Sequence, residues 1–318
     1  MGYSIGVDLG GTNIAVGVVD TENAQVIAKD SVKTNAPRAA ELIADDIAML
    51  SASVCEKAGL SLKSDVVGIG IASPGVIFNN VVHTAFNLGW RNVPLCDLVS
   101  ERTGLRAHMG NDANVAAYAE AVAGCGKGCS SLVMLTLGTG VGGGIVVGGK
   151  IWEGFRGAAA ELGHIIIHKD GRLCSCGKRG CLEAYCSASA LIKETKHRMI
   201  DNPSSLLWNL TGGDIGRVGG KTAFDAMRMG DDVAREIVEE YIDDLAVGAS
   251  NLVNVLQPEV LCFGGGISYE GETLTLPIAK KVAEQTYVEK EENRTRILPA
   301  KFRNDAGIIG AGILGADV

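Results

Sequence analysis

Three of the chain's nine cysteines fall within eight residues, CSCGKRGC at 174–181, and the motif ELGH at 161–164 comes shortly before them. His164, Cys174, Cys176 and Cys181 give the spacing H-x9-C-x-C-x4-C, one imidazole and three thiols. A Cys₃His set suits tetrahedral zinc, and a closed four-ligand shell has no position for an activated water, so this reads as a structural metal knuckle. C-x-C is a poor thioredoxin-type spacing and no βαβ pattern surrounds it. A disulfide would leave one of the three thiols over. His168 is a rival imidazole nearby. With one ring nitrogen of His164 on the metal, the other is free to donate outward. The remaining cysteines, Cys55, Cys96, Cys125, Cys129, Cys186 and Cys262, sit in apolar or mixed surroundings and read as buried thiols.

Glycine-rich turns after strands are the second source of chemistry, because their bare N–H groups can cradle phosphate oxygens. DLGGT (8–12) offers Gly10, Gly11 and Thr12, with Asn13 following. Asp8, at a strand end, can hold a hydrated magnesium, since Mg²⁺ favours a carboxylate with waters and phosphate oxygens. A plain hairpin turn with a capping aspartate explains the same residues. GTGVGG (138–143), with Thr139, Gly140, Gly142 and Gly143, formally matches G-x-G-x-x-G. A dinucleotide fingerprint needs a helix next, and GIVVGG is another strand, so a phosphate-binding hairpin is the better reading. GGGIS (264–268), with Gly265 and Gly266, could let a nucleoside lie on bare backbone or could be an ordinary strand-to-helix turn.

The elements that must position these groups follow from periodicity. YSIGVDL and IAVGVVD read as a strand hairpin, AQVIAKDSV as a third strand, and residues 37–58 as a helix opened by Pro37. VVGIGIAS is a buried strand ending at SPG. NNVVHTAFNLGW reads as a loop, followed by a short helix near 94–103. AHMGNDAN is a strand tip entering a helix over 113–123, capped by Asn111 or Asp112. SLVMLTL and GGIVVGG then repeat the strand, glycine turn, strand pattern, which points to a duplicated domain. A helix over 187–201, a long one from Asp231 to about Leu256, the strand EVLCFGGGIS and a glycine-stepped last helix complete the chain. The 318 residues suggest two domains, 1–115 with a returning helix at 304–318, and 116–303 carrying the knuckle.

A net charge of −8 argues against a nucleic-acid surface. The uncharged run 129–149 is broken by GTGVGGG and reads as strand–turn–strand, so no membrane span is expected. The N-terminus lacks the basic and apolar regions of a signal peptide, and a cytoplasmic protein is expected. There, clustered cysteines are metal ligands more often than disulfides.

Two glycine hairpins in corresponding halves plus a third glycine turn resemble the α/β actin/hexokinase-type ATPase fold, two duplicated ribonuclease-H-like domains with an active-site cleft between them. In order, DLGGT, SPG, NLGW, NDAN, TLGTGVGGG, ELGH, CSCGKRGCLE and GGGIS resemble the motifs of the ROK (repressor, open reading frame, kinase) family of sugar kinases, most closely its bacterial glucokinases. The resemblance covers nearly the whole chain. It implies ATP-dependent phosphorylation of a hexose at the 6-hydroxyl, most closely glucose, with Mg²⁺ and a structural Zn²⁺, in a homodimer or homotetramer. It makes Asp112 the catalytic base. It carries the sugar contacts onto Gly75, Asn111, Asp112, Glu161, His164 and Glu183, whose polar groups suit a ring of hydroxyls. Two departures stand out: Asn13, where many relatives have lysine, and Ala160, where the family has glycine. Kinases of the same family acting on N-acetylmannosamine, N-acetylglucosamine, fructose or allose are the nearest alternatives. A sugar-sensing transcription regulator and a non-catalytic zinc-binding module are more distant ones, and neither accounts as well for the acidic chain and the paired phosphate turns.

Overall fold

The computed structural model describes residues 2–317. The first half of the chain forms β1 (Tyr3–Leu9), β2 (Asn13–Asp20), β3 (Gln25–Lys33), α1 (Ala40–Ala58), β4 (Val66–Ser73), β5 (Val76–Phe78), β6 (Val81–Ala85), β7 (Trp90–Val93), α2 (Leu95–Thr103), β8 (Ala107–Asn111) and α3 (Asp112–Val122). Then come β9 (Ser131–Leu137), β10 (Val141–Val147), β11 (Lys150–Ile151), α4 (Glu183–Cys186), α5 (Ala188–Asp201), α6 (Leu206–Leu210), α7 (Thr222–Arg228) and α8 (Asp232–Leu256). The chain closes with β12 (Val260–Gly264), α9 (Glu272–Gln285), β13 (Arg296–Pro299) and α10 (Ala306–Ala316).

The two larger sheets share one plan. The first is ordered β3-β2-β1-β4-β8 and the second β11-β10-β9-β12-β13. In the first, β1 and β2 pair antiparallel from Tyr3↔Asp20 to Leu9↔Ile14, while β4 runs parallel to both β1 and β8. In the second, β12 runs parallel to both β9 and β13. The duplication expected from two short glycine turns therefore extends through whole sheets.

The chain divides into two compact units. One runs to Ser131 and adds Gly144–Ala160 and the chain from Asn304; the other comprises Leu132–Gly143 and Glu161–Arg303. The domain line drawn at 115/116 from the sequence falls inside α3, all of which belongs to the first unit. The first unit's core gathers Ile5, Val7, Ile14 and Val16 from the β1–β2 hairpin with Ile43, Ile47 and Val54 of α1 and Ile69 and Ile71 of β4, all fully buried. The returning α10 lies so close that a β-carbon at Gly6 would collide with the backbone of Ile308, and one at Gly70 with that of Ala311. Only bare backbone permits this approach. In the second unit Leu132 and Leu135 of β9, Leu261 and Phe263 of β12, Leu245 of α8 and Leu274 of α9 are fully or almost fully buried.

The segment 79–90, expected to be a loop, instead contains β6 and the first residue of β7 of a three-stranded sheet, β5-β6-β7. Its strands are three to five residues long, too short for an alternating pattern to stand out. Asn80 Oδ1 accepts from the N–H of Met109, which ties this sheet to β8. The helix expected to open at Pro37 begins at Ala40. Among the described residues, no helix is long and apolar enough to cross a membrane.

Candidate functional site

In the first unit, the turn between β1 and β2 is closed by the N–H of Gly10 on the carbonyl of Asn13 at 2.9 Å. Thr34 secures it from β3: its Oγ1 donates to Gly10 O at 2.6 Å and its N–H to Thr12 O at 2.9 Å. Asn13, where many relatives have lysine, is the first residue of β2 and is exposed. Asn87 of NLGW stands over the turn, since a β-carbon on Gly11 would lie 3.5 Å from that of Asn87. Trp90 Nε1 anchors this motif by donating to Arg38 O at 2.8 Å. The sequence marked NLGW by resemblance only; its place beside the first glycine turn was not legible there.

The end of β8 settles which residue caps α3. Asn111 is the N-cap, its Oδ1 accepting from the N–H groups of Ala113 (3.0 Å) and Asn114 (3.2 Å). Its Nδ2 donates to Gly75 O at 3.1 Å. Gly75, at φ +100°, sits where a side chain would meet the backbone of Thr84 and Ala85. The SPG turn and the NDAN motif are thus joined by one amide. With Asn111 as the cap, Asp112 occupies the first helical position. Burial raises its pKa above the ordinary aspartate value, and the N–H groups of Ala113 and of Asp112 itself only partly oppose this. A carboxylate raised in this way is the stronger base. Asp8 is pushed up to about 6, first by burial and then by the charge of Asp112. Two interacting carboxylates, Asp8 half-buried and Asp112 with exposed surface, form an arrangement that a divalent cation relieves.

The second unit builds its site around Val141, the first residue of β10. Glu183, at the start of α4, reaches back to it: Oε2 accepts from Val141 N–H at 3.0 Å, and Oε1 accepts from Ser175 Oγ at 2.6 Å and from Cys174 Sγ at 3.5 Å. A β-carbon at Gly140 would lie 2.5 Å from Glu183 Oε2. Burial works to raise the Glu183 pKa, but the bonds from Ser175, Val141 and Cys174 and the nearby His164 outweigh it and hold the carboxyl below its ordinary value. The ELGH turn meets the same residue, for a β-carbon on Gly163 would collide with the carbonyl of Val141. Glu161 heads this turn and is exposed, with its carbonyl accepting the N–H of His164 at 3.0 Å. Thr139, Gly140, Gly142 and Gly143 lie in the turn and the start of β10, and the next element is a strand, which excludes the dinucleotide fingerprint. Gly265, at φ +78°, lies against Leu137, whose carbonyl oxygen would be 2.6 Å from a β-carbon there; Gly266 follows it into a 3-10 turn ahead of α9.

The knuckle brings its four residues together. The ligand atoms of His164, Cys174, Cys176 and Cys181 all lie within 4.8 Å of one another. Cys176 and Cys181 sulfurs are 3.7 Å apart, and Cys174 Sγ is 3.6 Å from His164 Nδ1. Zinc with Zn–S bonds of about 2.3 Å has tetrahedral S···S edges of about 3.8 Å, so these separations fit it. Burial, then its two thiol neighbours, pushes Cys181 up to about 12, and burial raises Cys174 as well. Only Cys176 is lowered, chiefly by the N–H of Lys178. Three adjacent thiolates need a cation to coexist, which suits a metal. His168 lies outside the set, with Nε2 2.6 Å from Asp244 Oδ1 and its ring tilted against that of Tyr185, centroids 4.6 Å apart.

A family model for ROK matches residues 4–318. The chain belongs to the ROK family. It is 37% identical over 321 residues to a glucokinase of Streptomyces coelicolor, covering 100% of this chain and 98% of the relative. It is also 37% identical over 311 residues to a glucokinase of Thermotoga maritima, covering 96% and 95%. The crystal structure of a ROK family glucokinase from Streptomyces griseus in complex with glucose and AMPPNP matches with a TM-score of 0.84 at 37% identity over 100% of both chains. The fold is the two-domain actin/hexokinase-type ATPase fold. Against that family pattern, Ala160 acquires a physical meaning. It adopts φ +63°, the left-handed region that glycine occupies freely, at a cost of about 1 kcal/mol for an alanine.

The raised pKa of Asp8 has a measurable sign. The folded protein holds a proton there that the unfolded chain, near 3.8, has already released. The associated stability is complete below about 3.8 and is lost as pH rises through about 6. Asp8→Asn in chelator-treated protein is expected to melt above the wild type at pH 7.5 and together with it at pH 4. A lower melting point for the variant at pH 7.5 would contradict the buried-carboxylate account.

Proposed function

We propose that this protein is an ATP-dependent glucokinase, which transfers the γ-phosphoryl group of ATP to the 6-hydroxyl of glucose. The observation that carries the chemistry is Asp112: raised in basicity by the protein around its carboxylate, and held at the first position of α3 next to the residue that does the capping. Full-length likeness to glucokinases, one of them in complex with glucose and AMPPNP, supports the choice of substrates.

Asp112 takes the proton of the 6-hydroxyl as O6 attacks the γ-phosphorus in line. The bond from that phosphorus to the β–γ bridging oxygen breaks, and ADP leaves with the electron pair. Gly75, Asn111, Glu161, His164 and Glu183 bind the other sugar hydroxyls. The turns 8–12 and 138–143 offer N–H groups to the phosphates, and Gly265 and Gly266 offer bare backbone to the adenosine. Asp8 would hold Mg²⁺ through water, and the ion supplies charge neutralisation at the phosphates. His164, Cys174, Cys176 and Cys181 would hold Zn²⁺, which supplies structural order and keeps three thiolates together. With Nδ1 turned toward Cys174, His164 keeps Nε2–H to donate to a sugar oxygen.

A coupled ADP-release assay with MgATP tests the reading across glucose, mannose, N-acetylmannosamine, N-acetylglucosamine, fructose and allose. Glucose is expected to give the highest kcat/KM; preference for another sugar would keep the kinase and replace the substrate, and silence on all six would overturn the reading. In the same assay Asp112→Asn is expected to lower kcat at least about 100-fold, the scale of general-base catalysis, with glucose binding by calorimetry largely kept. A variant that retains most of its rate would remove Asp112 from the role of base.

Cys176→Ser addresses the knuckle. Elemental analysis is expected to find zinc bound stoichiometrically to the wild type and lost from the variant, with sugar affinity falling more than nucleotide affinity. Unchanged sugar affinity in the zinc-free variant would sink the positioning role of the metal.

A further inference from the structure

We infer that Ser175 and Glu183 form a positioning link that couples the knuckle to the glycine turn 138–143, so that the segment assigned to the sugar also sets the geometry of the segment assigned to the nucleotide. The inference rests on the proposed kinase reading for the identity of the two ligands. Its physical content is a chain of contacts inside one compact unit. Ser175 stands between two metal-ligand cysteines and donates its hydroxyl to Glu183 Oε1 at 2.6 Å. The other oxygen of that carboxylate accepts the N–H of Val141 at 3.0 Å. Val141 is where the turn becomes strand β10, and its carbonyl is packed against Gly163 of the ELGH turn. A carboxylate held at both oxygens transmits a displacement at either end.

Glycine at 140 belongs to the same device. Its φ lies outside the left-handed region, so another residue is conformationally allowed there. What forbids a side chain is Glu183 Oε2, 2.5 Å from the position of a β-carbon. That oxygen is the far end of a flexible side chain and moves at little cost. Gly140→Ala is therefore expected to leave the fold standing and to push the carboxylate away from Val141 and Ser175.

The coupling makes crossed predictions, in which each substitution is read on the ligand of the other segment. Ser175→Ala changes only the knuckle, yet it is expected to weaken AMPPNP binding, measured by calorimetry, about five-fold, the scale of one lost hydrogen bond. Ser175→Thr keeps the hydroxyl and is expected to restore it. Gly140→Ala changes only the turn, yet it is expected to raise the KM for glucose several-fold. Zinc content and melting temperature are measured for every variant, and both are expected to stay at wild-type values, which separates a displaced carboxylate from a collapsed knuckle. If Ser175→Ala moves sugar affinity alone, or if Thr fails to rescue, the link is overturned while the kinase reading stands. Loss of zinc from Ser175→Ala would also overturn it, because the hydroxyl would then be supporting the knuckle only. Failure of the wild type to bind AMPPNP would overturn the kinase reading, and the inference with it.

Discussion

The carboxylate of Glu183 holds together the glycine turn and the knuckle of the second unit. It receives Ser175 Oγ on one oxygen and Val141 N–H on the other, and these bonds outweigh the effect of its partial burial and favour the ionised form. Three segments distant in sequence meet at that carboxylate: the turn at 138–143, the ELGH turn through Gly163 on Val141, and the knuckle through Ser175 and Cys174. The order of the knuckle is thus a requirement on the glycine turn as well.

The first unit solves the opposite problem. There two carboxylates, Asp8 and Asp112, are each raised by loss of solvation, and the charge of Asp112 raises Asp8 further. The N–H groups at the start of α3 relieve Asp112 only in part. Their roles differ by position. Asp8 ends a strand ahead of a glycine turn, the setting of a hydrated cation, and the charge such a cation brings would lower its pKa. Asp112 opens α3; Asn111 supplies the cap, and on the proposed reading the Asp112 carboxylate, which also accepts from Ala113 N–H, is the base. Capping and basicity, which compete when one aspartate does both, fall to adjacent residues.

Much of this was legible in the sequence, for a physical reason. The turns at 8–12 and 138–143, the gathering of His164, Cys174, Cys176 and Cys181, and the helix that opens at Asp112 each depend on particular residues at short spacing, so the sequence shows them locally. What was not legible depends on backbone groups or on distant partners. The N–H of Val141 has no signature in its residue type, so the tie to Glu183 could not be read. The choice between Asn111 and Asp112 as cap turns on one backbone conformation. The three-stranded sheet over 76–93 was missed because its strands are too short for periodicity. The unit boundary was misplaced because α3 shows no change of composition where the line was drawn. Ala160 shows the middle case: the sequence exposes the departure from glycine, and only its φ of +63° says why glycine is the family's choice.

The two hairpins, alike in plan, are unequal in what stands behind them. Both sheets have the same strand order, and both turns open on a fully buried leucine followed by glycine, Leu9–Gly10 and Leu137–Gly138. The residue before that leucine differs: Asp8 in the first copy, Thr136 in the second. The first turn therefore brings its own carboxylate, buried and suited to a cation. The second has none in its strand and is backed instead by Glu183, from a segment forty residues onward (Val141 to Glu183 is a separation of 42). If both copies served one symmetric ligand, the same residue would suit both positions. A phosphoryl donor is not symmetric: one side must manage charge, and the other must hold the donor in register with the acceptor sugar. An aspartate beside a turn meets the first need. On the proposed kinase reading, a carboxylate that ties the turn to the knuckle meets the second, which accounts for the two copies differing at that position.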